Sequence, residues 1–438
     1  MKVGFVSLGC SKNLVDTEMT IGIFKEQNHE IVSNVEDAEV IVINTCGFIE
    51  SAKQEAINTI LEMAEYKEIG KCKYLIVMGC LVERYLNKLK KLLPEVDLFI
   101  PIKEYNNIGT KIQELITNTK PVLPVCNLEY LNRVISTGTT TAYLKIAEGC
   151  SNRCTYCAIP YIRGNYISRE FEEIVNEAKE LAKKGYKEII LIAQDTTKYG
   201  LDIYGKTRLA ELLEELCKIK EFKWIRFLYA YPESITDELI QVVKNNDKIC
   251  KYFDIPIQHI SDSVLKRMNR RSTSKQIEEL LEKIKKEIPN VILRTSLIVG
   301  FPGETEEDFE KLYKFVEKGY FDKLGVFKYS KEDGTPAAKL KEQVHYKIKE
   351  VRYKKIMELA QKISKEKLEE RIGKSYEVLI ENSTFDNRYY VGRSYMDIPD
   401  TDGLVFIPKE KENLVDNWIT CEISEVKNYD LVGYKIGK

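Results

Sequence analysis

Short apolar runs alternate with longer amphipathic runs through the first 118 residues of the chain. The apolar runs predict buried strands, and runs with apolar positions every three or four residues predict helices. The predicted strands are Lys2–Leu8, Glu39–Asn44, Tyr74–Met78 and Asp97–Ile100, and the predicted helices are Asn13–Glu26, Ser51–Lys67 and Val82–Leu92. Strands separated by helices of this length predict an open parallel α/β sheet.

A second alternation of strands and helices begins near residue 136, after a proline-containing stretch at 119–135 that we interpret as a linker. Its six apolar runs are Ala142–Ala147, Glu188–Ala193, Trp224–Tyr229, Phe253–Ile257, Val291–Val299 and Leu324–Lys328. Six parallel units predict a partial (β/α) barrel, whose chemistry would lie at the carboxyl ends of the strands. A long helix at His345–Arg371, rich in Lys and Glu, has one apolar stripe that predicts packing against this barrel.

The last region changes to short alternating runs separated by Gly, Pro, Asn and Asp. This pattern predicts a small antiparallel barrel of about five strands. We therefore divide the chain into an α/β domain at 1–118, a linker at 119–135, a barrel core at 136–372 and a terminal barrel at 373–438.

Composition restricts the class of protein. With 438 residues, 44% hydrophobic and 31% charged, the chain has the make-up of a globular protein of two to four domains. A net charge of −1 neither indicates nor excludes nucleic acid. No run of eighteen apolar residues occurs and the first residues lack a secretory signal pattern, so we expect a cytoplasmic protein with no membrane contact. Disulfides are rare in the cytoplasm, so eleven cysteines in a protein of that compartment indicate metal or redox ligands.

The segment Gly149–Gly164 places Cys150, Cys154 and Cys157 in a C-x-x-x-C-x-x-C spacing. Three thiolates on one short loop can bind three irons of an iron–sulfur cube, whereas a structural zinc site needs four ligands. No fourth Cys or His lies nearby in the sequence, so the fourth iron would be open to a cofactor or substrate. The alternative is a chance group of buried thiols, which the polar residues of this loop disfavour.

Three further cysteines, Cys10, Cys46 and Cys80, each follow a predicted strand of the first sheet and have a neighbouring glycine. Because the carboxyl ends of parallel strands share one crevice, we expect the three to converge. They predict a second cluster with one open iron, and ordinary buried cysteines at strand ends are the alternative. The remaining cysteines share no spacing and are interpreted as packing residues: Cys72, Cys126, Cys217, Cys250 and Cys421.

Polar residues follow other strands of the predicted barrel at the same end. They are Gln194, Asp195, Tyr231, Gln258, His259 and the turn Gly300–Glu304. The turn opens a predicted helix, so its backbone N–H groups are expected to point into the crevice; a plain helix-starting turn is the alternative. For His259 the alternative is a hydrogen-bonded core histidine.

The Cys150 loop, with Tyr156 before its last cysteine, resembles the cluster-binding loop of radical S-adenosylmethionine (SAM) enzymes. With the three-cysteine first domain and a terminal barrel similar to a TRAM domain, nearly the whole chain resembles the methylthiotransferases. The motifs SLGCSKNLVDTE, NTCGFIESAKQE, DIPIQHISDSVLKRMNRR and FKYSKEDGTPA are similar to the RimO type of that family. The resemblance implies an enzyme that modifies an aspartate of ribosomal protein twelve, at the decoding centre of the small subunit.

The resemblance also implies the cofactors and their ligands. It implies two [4Fe-4S] clusters, a catalytic one on Cys150, Cys154 and Cys157 that binds SAM, and a second one on Cys10, Cys46 and Cys80. Cleavage of SAM by an electron from the first cluster would give a 5′-deoxyadenosyl radical that abstracts hydrogen from the β-carbon. The second cluster would carry the sulfur, with another SAM as methyl donor. The implied SAM contacts are Tyr156, Gln194, Gln258, Ser296, Ile298, Gly300 and Glu304. Implied partners are an electron donor resembling flavodoxin or ferredoxin, and a sulfur source.

Two alternatives stay open at this point: a tRNA methylthiotransferase with the same chemistry on a purine, and an iron–sulfur carrier or scaffold. A scaffold needs no barrel with polar strand ends. Against tRNA, residues 374–438 contain twelve acidic and eight basic residues, a net charge of 8 − 12 = −4, whereas a module that follows RNA phosphates is expected to be basic. We therefore expect no direct tRNA substrate. The terminal barrel is expected to bind a basic protein through the loop of Asp397, Asp400 and Asp402, for which a solvated polar turn is the alternative.

Overall fold

The computed structural model describes residues 1–119, 129–409 and 412–437. The N-terminal domain is the predicted parallel α/β sheet, and its strand order is β2-β1-β3-β4-β5. Its elements are β1 (Lys2–Ser7), α1 (Ser11–Glu26), β2 (Glu30–Ile31), β3 (Val40–Thr45), α2 (Glu50–Ile69), β4 (Tyr74–Gly79), α3 (Cys80–Leu92), β5 (Leu98–Ile100) and α4 (Ile108–Thr117). Residues 120–128 of the predicted linker, including Cys126, lie outside the described residues.

Two elements of this domain escape the sequence prediction. The two-residue strand β2 starts with an exposed glutamate and pairs with β1, so it carries no apolar signal. Helix α4 buries Ile108 and Ile112 on one face, but its ten residues are few for a clear period.

The core contains two three-stranded parallel sheets, β6-β9-β10 and β11-β12-β13. A parallel bridge between Ile225 on β10 and Ile249, three residues before β11, links the two sheets into the predicted partial barrel. The core elements are β6 (Thr141–Lys145), β7 (Ala147–Glu148), α5 (Ile159–Ile162), β8 (Ile167–Ser168), α6 (Phe171–Lys183), β9 (Glu188–Ile192), α7 (Leu201–Tyr204), α8 (Leu209–Cys217), β10 (Trp224–Phe227), α9 (Asp237–Asn245), β11 (Tyr252–Asp254), α10 (Asp262–Arg267), α11 (Ser274–Glu287), β12 (Ile292–Val299), α12 (Glu306–Glu317), β13 (Lys323–Lys328) and α13 (Tyr346–Glu369). None of the helices in the described ranges is long and apolar enough to cross a membrane.

The terminal barrel is closed and has the strand order β14-β15-β16-β18-β17. Its strands are β14 (Ser375–Ser383), β15 (Tyr389–Ser394), β16 (Val405–Pro408), β17 (Trp418–Lys427) and β18 (Asp430–Lys435). One pair, β16 with β18, is parallel, whereas the sequence pattern predicts a wholly antiparallel barrel. Alternating polarity indicates which face of a strand is buried but not the direction of its neighbour.

Helix α1 joins the N-terminal domain to the core. Its polar residues are buried along with its apolar ones, because both sides of the helix are covered. Asp16 forms an ion pair of 2.6 Å with Lys145 on β6, and Glu18 forms one of 2.6 Å with Arg133. Val15 belongs to an apolar cluster that includes residues of the core strands. The start of α1, which follows Cys10, is therefore held against the core.

The terminal barrel contacts the amino-terminal ends of the core strands. Arg393 on β15 pairs at 2.7 Å with Glu188, the first residue of β9. Trp418 on β17 packs edge-on against Trp224, the first residue of β10, with ring centroids 5.6 Å apart. These contacts lie at the end of the core opposite to the loops that follow the strands.

The acidic loop of the terminal barrel lies partly in the same interface, which corrects one sequence expectation. The buried Asp397 pairs with Lys323 at 2.7 Å, and Asp402 accepts a hydrogen bond of 2.6 Å from the hydroxyl of Tyr252. Because the core supplies these partners, the two carboxylates do not form the free acidic surface predicted for a basic protein. Asp400, between them, is exposed.

Candidate active site

Three cysteines, which we call the first triad, lie on adjacent loops at the carboxyl end of the N-terminal sheet. Cys10 precedes α1, Cys46 follows β3, and Cys80 begins α3 directly after β4. A Cβ placed on Gly9 would lie 2.8 Å from the Cβ of Cys46, so the glycine lets these two loops meet. A Cβ on Gly47 would lie 2.9 Å from the backbone carbonyl carbon of Cys80. The structure thus brings the first triad together.

Burial and charge set the protonation of the first triad. Burial raises the pKa of the Cys80 thiol to about 12 and raises that of Cys46, and the neighbouring thiols add to both shifts. Burial opposes ionisation of Cys10 too, but the charges of Lys12 and Arg163 and nearby backbone N–H groups lower its pKa. Because the thiolate is the form that binds metals, Cys10 is the member closest to a ligand's protonation state.

The second triad, Cys150, Cys154 and Cys157, lies on the loop between β7 and α5. The N–H of Cys150 donates to the carbonyl of Gly164 at 3.1 Å, and the N–H of Cys157 donates to that of Cys154 at 3.1 Å, so the loop closes on itself. Burial raises the pKa of Cys150 to about 11 and raises that of Cys157, and the sulfur of Cys154 adds to both shifts. The three thiols therefore share one buried site.

The surroundings of the two triads meet at the boundary between the domains. Cys80 of the first triad packs against Ala158 and Ile162, which follow the last cysteine of the second triad. Arg163, the next residue, donates a hydrogen bond to Oδ1 of Asn13 on α1. Its positive charge favours the thiolate form of every member of the first triad. A single short segment therefore connects the surroundings of both triads.

The donor atoms suit iron–sulfur clusters rather than single ions. Within the part of the chain that the structure describes, no group of three or more His, Cys, Asp or Glu side chains could hold one metal ion. A four-iron cube binds each thiolate at a different iron, so its ligands lie further apart than those of one ion. Three soft thiols per site, with glycines beside the first triad, fit such a cube.

Several of the predicted SAM contacts lie together on β12 or beside it. The N–H of Gln258 donates to the carbonyl of Ser296 at 2.9 Å, and the N–H of Ile298 donates to that of Gln258 at 2.8 Å. Tyr156 and Ile298 both pack against one apolar cluster. Gln194 donates to Glu148 at 3.2 Å, and its buried Oε1 has no hydrogen-bond partner among the described residues, so this oxygen can accept a hydrogen bond from a ligand. Direct contact of these residues with SAM stays a prediction.

The turn at Gly300–Glu304 differs from the expectation that its N–H groups point into the crevice. The N–H of Phe301 donates to the Glu304 carboxylate at 3.1 Å, that of Gly303 to the carbonyl of Glu342 at 2.7 Å, and that of Glu304 to Phe301 at 2.9 Å. These three backbone N–H groups therefore donate to acceptors of the protein itself and do not point into the crevice. Burial raises the pKa of Glu304 to about 7, against the opposing charge of Arg352 at 2.7 Å. Contact of Gly300 or Glu304 with SAM stays a prediction.

His259 is a buried core residue. Its Nδ1 accepts a hydrogen bond of 2.9 Å from the N–H of Ser261. Burial lowers its pKa to about 3, so the ring is neutral and Nε2 carries the proton. Nε2 lies 3.7 Å from the carboxylate of Glu304, within the protein. The contact of Nδ1 agrees with the alternative of a hydrogen-bonded core histidine, whereas Nε2 has no hydrogen-bond partner within the described residues.

Three family models match the chain: the Radical SAM superfamily at residues 144–316, the uncharacterized protein family UPF0004 at 2–101 and the TRAM domain at 372–436. Curated relatives match over the full length. A ribosomal protein uS12 methylthiotransferase RimO of Alkaliphilus oremlandii is 64% identical, with 100% of both chains covered. Those of Acetivibrio thermocellus and Clostridioides difficile are each 50% identical, covering 100% and 99% of this chain and 99% and 98% of theirs.

The chain belongs to the RimO family of methylthiotransferases. As a RimO-family protein it is a radical-SAM enzyme, whose chemistry uses iron–sulfur and SAM, and this membership disfavours both the tRNA and the scaffold alternatives.

Solved structures with the same fold are more distant. The radical SAM methyltransferase TsrM of Kitasatospora setae, solved with cobalamin and a [4Fe-4S] cluster, has a TM-score of 0.57 at 12% identity over 77% of this chain and 76% of that one. The cobalamin-dependent SAM radical enzyme OxsB has a TM-score of 0.52 at 16% identity over 82% of this chain and 56% of that one. At these identities the likeness concerns the fold of the RimO chain alone.

Sequence reasoning named Tyr231 at a strand end but missed several charged residues around the triads of this RimO-family chain. The hydroxyl of Tyr231 lies 3.6 Å from Sγ of Cys154, and the guanidinium of Arg270 lies 4.2 Å from the centroid of the Tyr231 ring. Arg163 and Lys12 act on the first triad. A signal was present for Arg163 and Lys12, since each lies within six residues of a cysteine of one triad. Arg270 is distant in sequence, and only the fold brings it to the site.

Proposed function

We propose that this protein inserts a methylthio group at the β-carbon of an aspartate in ribosomal protein uS12 by radical-SAM chemistry. One observation carries the proposal: Cys80 of the first triad packs against Ala158 and Ile162, directly after the second triad. Two reactive centres so placed can act in sequence on one bound substrate. The names of the relatives support uS12 as the acceptor and disfavour tRNA.

In this proposal each triad holds one [4Fe-4S] cluster. Cys150, Cys154 and Cys157 would hold the cluster that binds SAM. The proposed SAM contacts are Tyr156, Gln194, Gln258, Ser296, Ile298, Gly300 and Glu304. Cys10, Cys46 and Cys80 would hold the second cluster. When bound, clusters and SAM supply the electron, the radical, the sulfur and the methyl group, because a β-C–H bond is not acidic enough for acid–base chemistry. The proposed domain bounds are 1–118, 136–372 and 373–438, with a linker at 119–135.

The protein's own residues keep the two centres apart yet adjacent. Cys80 and Ile162 belong to one buried apolar cluster, which joins the two loops. Arg163 holds the second loop to α1 through Asn13, and its charge compensates negative charge at the first triad. We also propose an electron donor resembling flavodoxin or ferredoxin and a separate sulfur source, since the chain must be reduced and resupplied with sulfur in each turnover.

The test is the mass of uS12 isolated from cells with the gene intact, deleted, or restored as Cys150→Ala. We expect an added methylthio group on one aspartate only with the intact gene, because Cys150 would hold the SAM-binding cluster. The deletion restored with the unchanged gene is the control. Unmodified uS12 in intact cells, or modified uS12 with Cys150→Ala, would contradict the proposal.

A further inference from the structure

Nine Lys and Arg side chains are buried in the described parts of the chain, and seven of them form an ion pair with a carboxylate. The paired ones are Lys53, Arg133, Lys145, Arg163, Arg226, Arg352 and Arg393. Lys12 and Arg270 lack one within these described residues. A buried cation without a carboxylate costs folding free energy, so both need a reason beyond stability.

Arg270 belongs to the surroundings of the second triad. Its guanidinium donates to the carbonyl of Pro256 at 2.8 Å and stacks on the ring of Tyr231, whose hydroxyl lies at Cys154. Its charge acts directly on the sulfurs of Cys154 and Cys157. A countercharge for the second triad therefore explains Arg270.

Lys12 faces a different place. Its side chain is 7% exposed, and Nζ lies 3.4 Å from the centroid of the Tyr229 ring. Tyr229 follows β10 in a left-handed conformation with φ 61°, fixed by a hydrogen bond of 3.1 Å from its N–H to Asp254. Two residues further on, the hydroxyl of Tyr231 lies 3.6 Å from Sγ of Cys154. The ammonium group therefore lies between Cys10 and the segment that reaches the second triad.

The first triad has a second cation beside it. The guanidinium of Arg163 donates to Oδ1 of Asn13, which also accepts a hydrogen bond of 3.5 Å from Sγ of Cys80, whereas the ammonium of Lys12 lies over the Tyr229 ring. The ammonium is directed to an aromatic ring, which attracts a cation but does not neutralise it. An anion from outside the chain would complete this site.

We propose that Lys12 binds the side-chain carboxylate of the acceptor aspartate and thereby determines specificity. This inference rests on the proposed function. The carbon that reacts is bonded to the carboxylate carbon, so an ion pair at Nζ fixes the position of the C–H bond between the two triads. An asparagine or a neutral purine would leave the ammonium unpaired and is rejected for that reason.

The experiment compares binding of full-length uS12 and of uS12 with its acceptor aspartate replaced by asparagine, using the anaerobically reconstituted full chain. The unchanged chain should prefer the aspartate form by about tenfold or more. Lys12→Met should remove this preference by weakening binding of the aspartate form only. Lys12→Arg should retain most of it. Lys25→Met, an exposed lysine at the other end of α1, should leave both affinities unchanged.

Several results would overturn the inference. One is that the unchanged chain modifies uS12 but binds the aspartate and asparagine forms equally. This result can be observed without any variant of the chain. Another is a Lys12→Met protein that keeps the preference for the aspartate form. If that protein also loses iron, Lys12 serves the cluster rather than the acceptor. Failure of the proposed function looks different, because the mass of uS12 would not change with the unchanged chain; that result overturns both.

Discussion

Nη2 of Arg163 lies 2.9 Å from Oδ2 of Asp16, and both side chains are at most 2% exposed. Arg163 follows the second triad, whereas Asp16 lies on the helix that begins after Cys10. Lys145 pairs with the other oxygen of Asp16 at 2.6 Å. This buried pair therefore connects the loops of the two triads.

Replacing Arg163 by Met should lower the free energy of unfolding by about 3–5 kcal/mol, because a buried charge network loses one partner. Chemical denaturation of the apo-protein measures the change. Lys183→Ala is the control, since Lys183 and Glu180 form an exposed pair whose loss should not be measurable. Equal stabilities of the two variants would contradict the importance of the pair.

Gly79→Ala should deform the loop of Cys80. Gly79 has φ +102°, and a Cβ there would lie 2.3 Å from Oδ1 of Asn44 and 2.6 Å from the carbonyl oxygen of Thr45. We expect a loss of about 3 kcal/mol or more in unfolding free energy and less iron after reconstitution. Gly185→Ala separates the causes. Gly185 has φ +100°, but a Cβ there would meet no atom of another described residue beyond its chain neighbours within 4 Å, so only the smaller conformational cost is expected. Similar losses of unfolding free energy for the two variants would mean that the structure around Gly79 shifts to accommodate the added Cβ.

Acid should weaken the contact between core and terminal barrel through Glu188. Burial opposes its ionisation, but Arg393 and Arg226 lower its pKa from 4.5 to about 2. A carboxyl group with a depressed pKa contributes stability above its unfolded pKa and loses it as the pH falls from about 4.5 to about 2. The difference between the folded and unfolded pKa of Glu188 corresponds to about 3 kcal/mol of unfolding free energy.

The chain has two tryptophans, Trp224 and Trp418, and they meet in this contact, so their fluorescence reports it. In denaturant titrations at several pH values, Glu188→Gln should be less stable at pH 7 and show a flatter dependence on pH below 4.5. An unchanged pH dependence in Glu188→Gln would assign the acid sensitivity to other groups.

The two triads should be separable by substitution. Cys46→Ala should abolish methylthio insertion but leave SAM cleavage, measured as release of 5′-deoxyadenosine, because the proposed clusters have separate ligands. Cys154→Ala should remove both activities. Iron content should be about eight per chain before substitution and about four in either variant. A folded Cys46→Ala protein that keeps about four irons and cleaves no SAM would contradict the assignment of separate sites.

The cysteine positions were predictable because they depend on local rules. The spacing from Cys150 to Cys157 is a property of one loop, and the position of Cys10 after an apolar run follows from the topology of parallel sheets. The residues around them were not predictable in this way. Arg270 reaches the surroundings of Cys154, through the ring of Tyr231, only because two strand ends distant in sequence meet. The N–H of Gly303 finds its acceptor in Glu342, beyond the helix that follows.

Charge counting was less reliable than spacing. A net charge of −4 for residues 374–438 is correct as a sum, yet Asp397 and Asp402 lie in an internal interface. A sum over a sequence segment cannot tell which carboxylates face solvent. Whether the terminal barrel binds a basic protein stays a prediction.

The terminal barrel contacts the first residues of core strands, such as Glu188, whereas the cysteine loops follow the last ones. A five-residue strand separates these ends by about 17 Å. An acceptor held by the barrel while its aspartate reacts would have to extend along the side of the core. A short synthetic peptide could reach the crevice but not the barrel at the same time. Comparing peptide and whole-protein acceptors would therefore measure how much the barrel contributes to capture.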